Sequence, residues 1–194
     1  MDKLFNYSKI VSCIALLTTI VCVASFCIGN SVLAYTLFGF TIALYVSILL
    51  WFGIIAIKSV KGSSLKLPSI LGAIFSFAII ITSIVLSVIK FDDMDISSFL
   101  RKMHTLSYLK SIGGIGLGIV LIRLSNFFNK KLINTLAIAL GVLLLLYNIG
   151  NTLIISFTFN TINANSINVI FFIVNTTTYM LYSVFYYFFS KYNK

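Results

Sequence analysis

The sequence predicts an all-α integral membrane protein, a six-helix transmembrane bundle with its N-terminus and C-terminus in the cytoplasm. Only 9% of the 194 residues are charged and 60% are hydrophobic, whereas about a quarter of the residues of a soluble domain are charged. Six apolar segments have about the length of roughly 20 residues, or more, that a membrane-spanning helix needs. They lie at about 10–29, 33–57, 68–89, 105–122, 132–157 and 167–189. The connections are short, so residues 1–194 form a single transmembrane domain.

The first predicted span follows the basic stretch MDKLFNYSK and so resembles a signal peptide. No small-x-small cleavage site follows it, and the later spans need it for a consistent topology, so we expect it to be retained. All three cysteines, Cys13, Cys22 and Cys27, lie in this span. An odd set of thiols inside a membrane favours packing over a disulfide.

The connections before the third and fourth spans differ in character. The first of them, KSVKGSSLKLP at 58–68, reads as a loop, and its Pro68 suits the first turn of a helix. The second contains residues 95–104, whose apolar residues fall on one face of a helix and whose basic residues fall on the other. We expect this amphipathic segment to lie along the outer surface before turning into the fourth span, or to continue as that span.

An acidic cluster also lies in the connection before the fourth span, with Asp92, Asp93, Asp95 and His104 close in sequence. These residue types bind metals, but one histidine is too few for zinc and DDMD lacks the ligand count of a calcium loop. They can also transfer protons, but no nucleophile or oxyanion donor accompanies them. The sequence therefore predicts no catalytic residues, no metal site and no cofactor, and a solvated, helix-capping loop accounts for the cluster.

The positions of lysine and arginine predict the orientation. With six spans and a cytoplasmic N-terminus, ten of the fourteen lie on the cytoplasmic side. They are Lys3, Lys9, Lys58, Lys61, Lys66, Arg123, Lys130, Lys131, Lys191 and Lys194. This distribution agrees with the positive-inside rule. If 105–122 did not span the membrane, five of these ten basic residues would lie outside. The sequence therefore favours six spans, in a multi-pass protein of the inner (cytoplasmic) membrane.

The fourth span contains the glycine-rich run GGIGLG, in which Gly114 and Gly118 form a GxxxG pair. Such pairs let the backbone of another helix approach closely, so we expect a helix-packing surface. A pore lining is a second interpretation. A phosphate loop is disfavoured because it has to follow a strand and face water.

Lys110 lies in the outer half of the same predicted span, and helical spacing puts it on one stripe with Gly114 and Gly118. One interpretation is that its long side chain extends outward to the membrane surface. The other is a polar intramembrane site, because Asn148 and Asn151 in the fifth span and Asn175 in the sixth lie at a similar depth. Interhelical hydrogen bonding that only holds the bundle together would explain the same asparagines.

Longer polar stripes run through the last two predicted spans. The stripe of the fifth span comprises Asn134, Gly141, Asn148 and Thr152, and that of the sixth comprises Asn168, Asn175, Tyr179, Tyr182 and Tyr186. Aromatic residues and lysines at the end of the sixth span are typical anchors at a membrane interface.

The predicted cytoplasmic surface is basic, through Lys58, Lys61, Lys66, Arg123, Lys130 and Lys131. Basic residues near a membrane surface attract anionic lipid. They also suit a soluble cytoplasmic partner protein. We expect no direct contact with nucleic acid, because topology already explains the positive charge.

A short polytopic chain with no soluble domain, no catalytic set and a basic cytoplasmic face resembles the membrane subunits of small bacterial defence operons. Among these it is similar in format to the membrane subunit of the Kiwa antiphage defence system. That resemblance implies a homo-oligomeric membrane sensor of phage infection that relays to a soluble DNA-binding partner. The family is described with four spans, whereas six are predicted here, and no functional residues are carried over.

Three functional hypotheses follow. The first is a non-enzymatic, homo-oligomeric membrane sensor or scaffold that relays to a cytoplasmic partner, and the resemblance implies a role in antiphage defence. The second is a subunit that binds or transports a small solute at Lys110 and the asparagines, a role for which the length and span number also resemble the substrate-binding subunits of energy-coupling vitamin importers. The third is a small oligomeric channel lined by the polar stripes of the last two spans.

Overall fold

We analysed a computed structural model of the chain, which describes residues 2–59, 63–88, 96–128, 130–157 and 164–192. These residues form six α-helices and no strand. The helices are α1 (Asp2–Ile28), α2 (Ser31–Lys58), α3 (Lys66–Val88), α4 (Ile96–Ser125), α5 (Lys131–Phe157) and α6 (Ala164–Tyr192). Each is long and apolar enough to cross a membrane, as a multi-pass membrane protein requires.

Local sequence explains several helix ends. Gly29 ends α1 with a φ of 66°, a left-handed conformation that glycine adopts without strain. Asn30 then caps α2, because its side chain accepts a hydrogen bond of 2.8 Å from the Val32 backbone N–H. Pro68 lies in the first turn of α3, where the missing backbone N–H leaves no hydrogen bond unmade.

Two helices begin eight or nine residues before the apolar segments that predicted them, at residue 2 against 10 and at residue 96 against 105. Helix α1 already starts at Asp2, because Leu4, Phe5 and Ser8 form a buried face at helical spacing. Helix α4 runs without a break from Ile96 to Ser125. Of the two arrangements that the sequence left open for residues 95–104, the structure therefore has the one in which the segment continues as the fourth helix. Asp95 lies outside the described residues.

The six helices form a closed ring. Each helix packs against its neighbour in the sequence, and α6 closes the ring against α1. Among the described residues no other pair of helices is in backbone contact, and α5 and α6 are the most loosely packed neighbours. Because the ring alternates in direction, α1 begins and α6 ends at the same end, which we call the terminal end. The opposite end, with the turn at Gly29, is the distal end.

Side chains fill the inside of the ring, and near the terminal end most of them are aromatic. Trp51 of α2 is fully buried and lies 5.2 Å from both Tyr186 and Phe189 of α6, measured between ring centroids. Its indole N–H donates a hydrogen bond of 2.9 Å to the Ser8 hydroxyl of α1. Phe128, just after α4, lies 5.6 Å from Phe189. This cluster joins helices that share no backbone contact.

Candidate functional site

The glycine-rich run of α4 contacts two helices at once. Gly113 and Gly116 face α3, where a Cβ at either position would meet Ile79 or Phe75 within 2.9 Å. Because helical residues three apart lie on one side, these two glycines let α3 pack closely against α4.

Gly114 and Gly118, the predicted packing pair, face the opposite neighbour, α5. The Asn148 side chain occupies the space beside Gly114. A Cβ on Gly118 would lie 2.7 Å from the backbone oxygen of Gly141, and a Cβ on Gly141 would lie 2.7 Å from that of Gly118. Two glycines thus meet backbone to backbone across this interface. The polar stripe of α5 that contains Gly141 and Asn148 is therefore directed towards α4.

Lys110 lies on the face of α4 that points into the ring. Gly114, Leu117 and Leu121 follow it at spacings of 4, 7 and 11 residues, which places all four on one side of the helix. Both leucines are fully buried members of the core. Protein atoms surround Lys110, yet its side chain keeps intermediate exposure. Lys110 therefore lies on the side of α4 that faces the ring, and no described residue forms a hydrogen bond or ion pair with it.

Asn148 and Asn151 lie at the α4–α5 interface, against Gly114 and Ser111 of α4. The Asn148 side-chain amide is buried and donates a hydrogen bond of 2.7 Å to the Leu144 carbonyl of its own helix. The Asn151 amide donates a hydrogen bond of 3.1 Å to the hydroxyl of Ser111, the residue after Lys110. The structure therefore brings Asn148 and Asn151 against α4 at Gly114, one turn after Lys110, and at Ser111, the residue next to it.

Asn175, the fourth residue of the predicted polar site, lies at the contact between α5 and α6. Its side chain lies near the Tyr147 hydroxyl of α5, and the Tyr147 ring packs edge-on against Phe171, with centroids 5.8 Å apart. Because Tyr147 precedes Asn148, it links the α5–α6 contact to the α4–α5 interface. This pair lies where the ring is most loosely packed.

Two further hydroxyl groups from α2 point into the ring at this level. The Thr41 hydroxyl lies 3.3 Å from the Tyr179 hydroxyl of α6. Tyr45, one turn further along α2, lies close to Tyr179 and Tyr147 and is surrounded by protein. Sequence reasoning missed Tyr45. The signal that could have found it is its helical spacing of three and seven residues before the apolar residues Ile48 and Phe52.

We use the term distal polar layer for a set of six side chains. They are Lys110, Ser111, Tyr147, Asn148, Asn151 and Asn175. At 1.5 Å per residue, Lys110, Tyr147 and Asn175 lie about 22–26 Å from the terminal ends of their helices. The layer thus combines one cationic group with several amide and hydroxyl groups, which can hold a small molecule that carries a negative charge and hydrogen-bonding groups.

The basic residues predicted at one surface collect at the terminal end of the ring. Lys58, Arg123, Lys130 and Lys131 are exposed there, and Lys66 is half-buried. Lys61 lies outside the described residues, as do Asp92, Asp93 and Asp95. His104 is described and packs near the Tyr108 ring, with centroids 6.4 Å apart.

No family model, no curated protein and no solved structure matches this chain.

Proposed function

We propose that this protein is a non-enzymatic, multi-pass membrane protein that binds a small anionic solute at the distal polar layer, as a subunit of a transport or sensing system. The observation that carries the proposal is the inward-facing Lys110 without a partner among the described residues. A lysine inside a membrane costs roughly 2.5–3.5 kcal/mol on insertion scales. An anionic solute would offset that cost, and the amides of Asn148 and Asn151 would orient it.

The Lys110 ammonium is expected to be required for anion binding. Wild-type protein in lipid nanodiscs would be heated with small monocarboxylates, dicarboxylates or inorganic phosphate. A bound anion should raise the unfolding temperature, since a ligand at 100 times its Kd adds about 2.7 kcal/mol of stability. Lys110→Met should abolish that shift and raise the unfolding temperature of the ligand-free protein, because it removes a half-buried cation that has no partner among the described residues.

The matched control for this experiment is Lys102→Met, which alters an exposed lysine on the same helix. It should leave both the anion-induced shift and the ligand-free unfolding temperature unchanged. The proposal is contradicted if Lys110→Met keeps the full shift, or if none of the anionic probes stabilises the wild-type protein.

The proposal includes an orientation in which the terminal end faces the cytoplasm and the distal polar layer opens to the outside. The positive-inside rule supports it, because the exposed residues Lys58, Arg123, Lys130 and Lys131 all lie at the terminal end. A fluorescent protein fused after α6, of a kind that matures only in the cytoplasm, is therefore expected to fluoresce. An enzyme reporter active only after export, fused at the same position, should be silent, and the reverse pattern would refute the orientation.

A second candidate function is a homo-oligomeric sensor that relays to a soluble cytoplasmic partner, as the resemblance to the Kiwa membrane subunit implies. The exposed basic residues of the terminal end favour it, since they offer a docking surface for an acidic protein. Native mass spectrometry from nanodiscs tests the oligomer directly. A purely monomeric spectrum would remove this candidate and leave the solute-binding proposal intact.

A further inference from the structure

The hydroxyl of Ser83, on α3, is buried and has no hydrogen-bond partner among the described residues. The Ser83 side chain is only 5% exposed. The other two buried serines of α3, Ser69 and Ser76, each donate a hydrogen bond of 2.8 Å to the carbonyl four residues earlier, a common arrangement for serine inside a helix. A buried hydroxyl without a partner lowers stability. The Ser83 hydroxyl therefore calls for a role other than packing.

Ser83 lies on the side of α3 that faces the inside of the ring. Gly72 and Ile79 precede it by eleven and four residues, and at 100° per residue the three fall within about 40° of one another. Gly72 contacts the Phe52 ring of α2, and Ile79 contacts Gly113 of α4. A side of α3 that contacts both neighbouring helices points into the ring and away from the lipid.

The same two contacts give the level of Ser83 along the ring. Neighbouring helices run in opposite directions, so residues at equal distances from a contact lie at the same level. Starting at the α3–α4 contact, Ser83 lies four residues towards the distal end and Lys110 lies three. Starting at the α2–α3 contact, Ser83 and Thr41 each lie eleven residues towards it. At 1.5 Å per residue, the three side chains are therefore level to within about one helical turn.

The polar groups at this level differ in whether the protein already occupies them. The side-chain amides of Asn148 and Asn151 donate hydrogen bonds within the protein, as does the Thr41 hydroxyl. Lys110 and Ser83 have no such partner among the described residues. An ammonium group only donates, whereas a hydroxyl donates one hydrogen bond and accepts others. Lys110 therefore suits the anionic group of a solute, and Ser83 suits a neutral polar group beside it.

We propose that the Ser83 hydroxyl contacts the solute bound at the distal polar layer and makes the site selective for small hydroxycarboxylates. The carboxylate of the solute pairs with the Lys110 ammonium, and the hydroxyl of the solute shares a hydrogen bond with Ser83. A solute without that hydroxyl leaves Ser83 unpaired and binds more weakly. The inference rests on the proposed anion binding at Lys110, to which it adds a class of solute and a specificity-determining residue on α3.

The test compares two pairs of ligands that differ by one hydroxyl, lactate with propionate and malate with succinate. Each is titrated calorimetrically into full-length protein in lipid nanodiscs. Wild-type protein is expected to bind the hydroxyl-bearing member of each pair about tenfold more tightly, the effect of one neutral hydrogen bond. Ser83→Ala should lose this preference through weaker binding of lactate and malate. Its affinity for propionate and succinate should stay at the wild-type value, because those ligands leave Ser83 unpaired.

Ser76→Ala is the matched control. Ser76 is fully buried on the same side of α3, seven residues nearer the terminal end, and its hydroxyl is bound to the Gly72 carbonyl. This variant should keep the wild-type preference. Thermal unfolding of the ligand-free proteins separates binding from folding. Ser83→Ala should unfold at the wild-type temperature or above it, since it removes a buried hydroxyl that has no partner among the described residues.

The inference is overturned if wild-type protein binds both members of each pair equally, or if Ser83→Ala weakens both members alike. Binding of propionate or succinate that Lys110→Met abolishes would then still support the solute-binding proposal, so the two failures are distinguishable. Wild-type protein that binds none of the four ligands overturns the inference as well.

Discussion

Replacing Gly141 with alanine is expected to destabilise the folded protein by about 1–3 kcal/mol, the usual cost of forcing extra volume into a packed interface. The new methyl group would meet the Gly118 backbone oxygen at 2.7 Å and the Ile122 side chain at 2.6 Å. Ile122 can rotate, but the Gly118 oxygen belongs to a helix backbone and moves only if α4 and α5 separate. The effect therefore comes from a backbone contact.

Gly150→Ala is the matched control for this prediction, since it makes the same change on the same helix. No atom lies within 4 Å of a Cβ built at Gly150. That variant should gain about 0.5–1 kcal/mol, because alanine is the better helix former. Unfolding can be followed by fluorescence of the single tryptophan, Trp51. Equal shifts for the two variants would show that α4 and α5 do not approach as described.

Gly118→Ala extends the test to the other side of the contact. It should cost about as much as Gly141→Ala, because each methyl group meets the backbone oxygen of the other glycine at 2.7 Å. The double variant should cost less than the two single effects added together, since one separation of the helices relieves both clashes.

The sequence predicts the six helices well because each is a long apolar segment, and this signal needs no knowledge of the neighbours. It predicts less about which helices meet. GGIGLG indicates close packing, but it does not indicate which glycine faces which helix. Gly113 and Gly116 face α3, whereas Gly114 and Gly118 face α5, because α4 lies between these two helices in the ring. Ile79 and Phe75, which occupy the α3 side, are ordinary apolar residues and give no signal in the sequence.

For the candidate site too, the sequence predicts features within one helix, and the structure is needed for the contacts between helices. Helical spacing puts Lys110 on the stripe of Gly114 and Gly118, but only the burial of Leu117 and Leu121 places that stripe inside the ring. Similar depth suggested that Asn148 and Asn175 share one site. In the structure the Asn148 amide donates to the Leu144 carbonyl, and the Asn175 side chain lies near the Tyr147 hydroxyl. The partner of each side-chain amide depends on how its helix is rotated about its own axis. Residue spacing within one helix does not define that rotation.

Replacing Trp51 with alanine is expected to cost about 3–5 kcal/mol, the range for removing a large aromatic side chain from a packed core. Trp51 is 0% exposed and packs against Phe52 of its own helix and against Phe185, Tyr186 and Phe189 of α6. The lost hydrogen bond to Ser8 contributes little, because the Ser8 hydroxyl still donates to the Leu4 carbonyl at 2.8 Å. Most of the cost comes from the cavity, so Trp51→Phe should keep a large part of the stability.

Phe77→Ala is the control for Trp51→Ala, because Phe77 of α3 is 56% exposed on the outside of the ring. Lipid replaces its contacts, so its removal leaves no cavity and should change stability by less than about 0.5 kcal/mol. Both variants can be compared by the fraction that stays monodisperse in size-exclusion chromatography after heating, a measurement that does not need the tryptophan. Helices inside a bilayer gain little from the hydrophobic effect and associate mainly through packing. Equal heat resistance of Trp51→Ala and Phe77→Ala would therefore mean that the aromatic cluster does not hold α1, α2 and α6 together.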